Sequence, residues 1–193
     1  MNEPARQLEV RVGSATDALT PLSRATRSFA ATPVQWLSLA AIAIAAVVAD
    51  QVTKHIVASN LSLGEGVHVL GPFTIRHVQN SGIAFGLFAS ATAAVIVLTA
   101  LAIAWMLVYF ARSGARHPVL PVALGLVIGG SVSNLADRVR LGFVTDFLDF
   151  RYWPAFNLTD SFIVIGVAVL LGALVAADRP PRRRRISNAA ARP

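Results

Sequence analysis

Four stretches of this chain are apolar for long enough to cross a bilayer, and nothing else in the sequence constrains the fold as strongly. A hydrocarbon layer of about 30 Å takes ~20 helical residues to span. Within lipid the backbone must satisfy its own hydrogen bonds, so each stretch reads as a spanning helix. The stretches run from about Trp36 to Ile56, Phe88 to Phe110, Val119 to Leu135 and Ser161 to Ala177. The last two are near the short limit, so their ends should lie at the interfaces. Trp36, Trp105, Tyr109 and Trp153 fall near segment ends, where an aromatic belt would place them. With only 14% of its residues charged, the chain is neither an ordinary soluble globule nor a disordered one.

The first apolar run follows a charged leader too long for a signal peptide, so it reads as a first span. Residues 1–33 and 179–193 lack periodicity and are expected to be disordered tails around a membrane domain at 34–178. Twelve of the seventeen cations lie in those tails and in the loop holding Arg112 and Arg116. The other five are Lys54, Arg76, Arg138, Arg140 and Arg151. The positive-inside rule then puts both termini in the cytoplasm. Net charge +7 is thus a topology signal, and Arg182 to Arg185 form an anchor for anionic membrane lipids rather than a nucleic-acid site.

On the outer side, Val67, Val69, Phe73, Ile75 and His77 alternate around Gly71-Pro72, the pattern of a hairpin with one apolar face. NSGIAFG follows at Asn80 to Gly86. The second outer loop, DRVRLGFVTDFLDFRYWPAFNLTD, holds Asp137, Asp146, Asp149 and Asp160 within a strongly aromatic stretch. Carboxylates gathered beside a membrane are costly, and by default they mark a functional site. Each also has a plain structural reading. Asp137 can pair with Arg138 and Arg140, Asp149 with Arg151, and Asp50 with Lys54 four residues along one helix face. Asp160 can be a first-turn helix residue, and Asn157 can cap that helix or hold a carboxylate. Asp146 has no neighbouring cation in the sequence. No cysteine is present, which removes disulfides and thiolate metal sites. The four histidines lack ligand spacing, so no metal and no cofactor is expected. Two carboxylates brought together would couple their titrations, one staying protonated while the other serves as base. That is the logic of aspartic proteases.

Five blocks carry a resemblance: DQVTK (Asp50 to Lys54), NSGIAFG, GGSVSNLADR (Gly129 to Arg138), VTDF (Val144 to Phe147) and FNLTD (Phe156 to Asp160). In order and spacing the chain resembles bacterial lipoprotein signal peptidase, or signal peptidase II, a family of four-span membrane aspartic endopeptidases. The resemblance implies an all-α membrane fold, four transmembrane helices with a small extracytoplasmic β-hairpin or cradle and a second outer loop. It implies that Asp146 and Asp160 are the catalytic dyad. They would cut a lipid-modified prolipoprotein before its diacylglyceryl cysteine, at the outer face of the bacterial cell membrane. Asn134, Asp137, Arg138 and Asn157 match positions that shape the site; Asp50, Lys54 and Asn80 match positions that support it or contact substrate. A single copy, a monomer, is the expected working unit. The chain departs from the family pattern at Ser133, usually glycine, and at Thr159, usually alanine. A proton-coupled transporter is the alternative, but it wants acids spread along the spans toward both faces, and a purely structural scaffold gives the acid cluster no reason.

Overall fold

The computed structural model describes residues 29–82 and 92–177, and within them four long helices and a four-stranded sheet. Helix α1 (Pro33–Asn60) starts at a capping box. The Thr32 hydroxyl accepts from the Gln35 amide at 3.3 Å, while the Thr32 N–H donates to Gln35 Oε1 at 2.9 Å. The order continues with strands β1 (Gly66–Leu70) and β2 (Phe73–Asn80), helix α2 (Thr92–Ser113) and a 3-10 turn (Gly114–Arg116). Helix α3 (Leu120–Leu141), strands β3 (Val144–Phe150) and β4 (Trp153–Phe156), and helix α4 (Leu158–Ala177) complete it. All four helices are long and apolar enough to span a membrane.

Several expected boundaries move. The third segment extends to Leu141 rather than Leu135, so Asp137 and Arg138 lie inside a helix instead of ending it. Its stop is Gly142, at φ +82°, a left-handed conformation that suits a residue without Cβ. The fourth starts at Leu158, which puts Asp160 in the first turn. Phe29 and Ala31, placed in the disordered tail by sequence, are tied down: Ala31 N–H donates to Ala111 O and Ala115 N–H to Phe29 O. The expectations for residues 1–28 and 179–193, for the start of the second segment at Phe88 and for Gly86 fall outside the described residues.

The hairpin forms as its alternation predicts, with Val67 opposite Ile75 and His68 opposite Thr74. The second outer loop adds two strands to it, giving an antiparallel sheet in the order β1-β2-β3-β4. Phe73, Phe150 and Phe156 face one another across three strands, with ring centroids 5.0 and 6.0 Å apart. Such cross-strand aromatic pairs stabilise a sheet beyond simple burial.

Helix α3 is the central element: 67% of its spanning window is buried, against 11–17% for the others. Toward the chain's ends its neighbours are apolar, with Leu39, Phe110, Leu120, Leu124 and Ile128 forming one cluster. Toward the sheet its buried residues are polar: Ser133, Asn134 and Asp137. Gly129 and Gly130 let two helices reach that polar half. A Cβ on Gly129 would lie 2.6 Å from Ala43 O of α1, and one on Gly130 would lie 2.8 Å from Thr159 O of α4. Small residues at such crossings are how membrane helices approach backbone to backbone.

Candidate active site

Helical spacing sorts the polar residues of α3 onto two faces, because positions four apart lie one above the other. Ser133 and Asp137 continue the Gly129 face and meet α1. Asn134 and Arg138 continue the Gly130 face, where Asn134 meets α4 and Arg138 the segment just after β2. One hydrogen bond crosses this division, from Lys54 of α1 to Asn134.

On the α1 side, Lys54 Nζ lies 2.7 Å from Asp50 Oδ2 and 2.7 Å from Asp137 Oδ2. All three side chains are buried. The Asp50–Lys54 pair forms as its spacing predicts. Asp137 does not take Arg138 or Arg140 as its cation; Lys54 reaches it from another helix. Ser133 Oγ donates to Asp50 Oδ2 at 2.7 Å, and Gln51 Nε2 donates to Asp137 Oδ1 at 2.8 Å and to Ser133 Oγ at 3.0 Å. Gln51 was not singled out from the sequence. Its only signal there is its place between Asp50 and Lys54 on a turn of polar residues.

On the α4 side, one asparagine joins the two carboxylates. Asn157 Nδ2 donates to Asp146 Oδ1 at 2.8 Å, and Asn157 N–H donates to Asp160 Oδ2 at 3.1 Å. Asp160 N–H returns a bond to Asn157 Oδ1 at 3.0 Å, so Asn157 caps α4 and holds both acids at once. Asp160 thereby sits at a helix N-terminus, where the dipole favours an anion. Asn134 Nδ2 donates to Asp160 Oδ1 at 2.9 Å, and its oxygen accepts from Lys54 Nζ at 2.9 Å, which links the two halves of the network. Asn80 Nδ2 completes the set by donating to Asp146 Oδ2 at 2.9 Å. Arg138 Nη2 donates to Gly82 O at 2.8 Å, pinning the chain just after Asn80. The structure thus brings together the nine residues that the resemblance marks as dyad, site-shaping or supporting positions. Asp149 stands apart and pairs with Arg76 across the sheet at 3.2 Å, not with Arg151, whose guanidinium lies 5.7 Å from the Tyr152 ring centroid.

Asp146 is 2% exposed. Burial pushes its carboxyl up from 3.8 to about 6; the Asn80 hydrogen bond opposes the rise, the Asp160 charge adds to it, and Asn157 and Lys54 oppose it. A cavity of about 610 Å³ lies over the two acids, with Asn80, Asn134 and Asn157 among its polar lining. Val95 of α2 and Ile163 and Val164 of α4 supply apolar wall, and β4 closes one side. The arrangement sets two electrostatically interacting carboxylates on one asparagine, beside a partly apolar chamber at the end of a membrane bundle.

A family model described as signal peptidase (SPase) II matches residues 42–176. A lipoprotein signal peptidase from Symbiobacterium thermophilum is 42% identical over 143 residues, 72% of this chain and 94% of that protein. Those of Pelotomaculum thermopropionicum and Haemophilus influenzae are 43% and 41% identical, each over 70% of this chain and over 91% and 81% of their own lengths. A solved bacterial membrane enzyme superposes with a TM-score of 0.69 at 28% identity, over 75% of this chain and 92% of that one. A second gives 0.64 at 30% identity, over 69% and 90%.

Proposed function

We propose, from the premise that this chain belongs to the signal peptidase II family, that Asp146 and Asp160 are the pair with which it works. The chain is a multi-pass membrane aspartic endopeptidase that removes signal peptides from prolipoproteins. The pair holds one proton. Its ionised member takes a proton from water in the cavity as the water oxygen attacks the scissile carbonyl carbon, and its protonated member gives its proton to the carbonyl oxygen. Collapse of the tetrahedral intermediate breaks the C–N bond: the first carboxyl passes its proton to the leaving amine, and the second takes one back from a hydroxyl of the intermediate. Asn80, Asn134 and Asn157 keep the acids in place through the cycle. Asp50, Lys54 and Asp137 brace α1 against α3 behind them, and Arg138 pins the segment just after β2 at Gly82.

The single observation that supports this reading is the sharing of Asn157 by two carboxylates, its amide side chain on one and its backbone on the other. The substrate is a precursor whose cysteine bears a diacylglyceryl group, cut just before that residue. Acyl chains left in the bilayer hold the scissile bond at interface depth, where the cavity meets the apolar walls of α2 and α4. Both termini face the cytoplasm and the sheet end faces outward, an orientation that the cation distribution supports. One copy suffices, since every group named above comes from one chain. The test is cleavage in proteoliposomes of a diacylglyceryl-modified precursor beside the same precursor with its cysteine replaced by serine. Only the modified precursor is cut; equal cleavage of both contradicts the assigned substrate.

A further inference from the structure

One buried hydroxyl touches both asparagines that hold the carboxylate pair. Thr159 is 0% exposed, and its Oγ1 lies 2.6 Å from Asn157 Oδ1 and 3.0 Å from Asn134 Oδ1. A hydroxyl has one proton to give. Asn134 Oδ1 is already occupied, accepting from Lys54 Nζ at 2.9 Å and from Asn157 Nδ2 at 3.1 Å. The shorter contact, to Asn157, therefore takes the proton. With its oxygen held by Thr159 Oγ1 and by the Asp160 N–H, Asn157 must turn its Nδ2 toward Asp146. The reversed amide would set an NH2 group against the Asp160 N–H and an oxygen against the Asp146 carboxylate.

Thr159 is itself held from two sides. Its N–H donates to Asp50 Oδ1 at 3.2 Å, and its carbonyl sits over Gly130, where no Cβ would fit. Asp50 also receives Ser133 Oγ and Lys54 Nζ, so the hydroxyl stands at the end of a chain of contacts from the buried ion cluster to the acids.

We propose that Thr159 is a positioning residue for proteolysis, its hydroxyl locking the Asn157 amide so that a donor always faces Asp146. This rests on the reading of Asp146 and Asp160 as the catalytic pair. Two variants of the full chain isolate the hydroxyl, because both Thr159→Ser and Thr159→Ala remove the methyl and only the second removes the oxygen. In proteoliposomes with the lipid-modified precursor, Thr159→Ser keeps the wild-type kcat. Thr159→Ala loses about fivefold in kcat, the size of one net hydrogen bond, at unchanged KM. Equal kcat for the two variants overturns the proposal, as does a loss confined to KM. Asp146→Asn in the same assay separates the layers. If it is inactive while Ser and Ala behave alike, only the positioning role fails; if it cleaves near normally, the catalytic pair itself is wrong.

Discussion

Asn80 donates to the one Asp146 oxygen that Asn157 leaves open, and both donors favour the charged carboxylate. Removing Asn80's amide therefore raises the Asp146 pKa further. The pair works with one shared proton, so the titration of Asp146 sets the midpoint of one limb of cleavage rate against pH, at about 6. Asn80→Ala moves that midpoint upward, read from cleavage rate against pH in proteoliposomes; a midpoint left in place or moved down contradicts the role given to Asn80. The same raised value has the opposite sense for stability. The folded chain holds this proton more tightly than the unfolded one, so Asp146 opposes folding increasingly as pH rises from 3.8 to about 6. At this scale the acids were legible, because a carboxylate beside lipid is costly unless used. Their partners were not. Asp137 stands next to Arg138 in sequence yet pairs with Lys54, 83 residues away, because helix packing rather than adjacency sets which charges meet.

Helix α3 shows why elements were harder to bound than to find. Its apolar run ends near Leu135 because the following turns carry Asp137, Arg138 and Arg140, and hydropathy cannot see that Asp137 faces α1 rather than water. Strand β3 hid for a related reason: Val144 to Phe147 is buried on both faces, so the alternation that marked the first hairpin is missing. The glycine pair on α3 carries its own prediction. Gly129→Ala pushes α1 off α3 at Ala43 and strains the Lys54–Asp137 contact further along, costing about 1 to 3 kcal/mol as overpacking does. A lower unfolding temperature in detergent, with reduced cleavage, is the expected result. Gly172→Ala, whose Cβ meets nothing within 4 Å, keeps cleavage and does not lower the unfolding temperature. Equal behaviour of the two variants would show that the close approach does not matter.

Across the whole molecule, four spans and the cation imbalance were readable from length and composition alone, because the bilayer allows so few alternatives. The convergence of Asp146 on Asp160 needed the strands, and only the shared Asn157 makes it geometric. The proposed orientation puts the sheet outside the cell. Tyr152, 85% exposed beside the β3–β4 turn, is a place to read it, since the chain has no cysteine of its own. Tyr152→Cys is labelled in intact cells by a membrane-impermeant thiol reagent that has crossed any outer barrier; labelling only after the membrane is broken reverses the topology. The most direct test of the account is cleavage of the lipid-modified precursor by Asp146→Asn and Asp160→Asn, with Asp149→Asn as the neighbour outside the network. The account predicts that the first two variants stay folded in the membrane and cut nothing, while the third keeps most of its activity. Near-normal cleavage by either Asp146→Asn or Asp160→Asn would contradict it.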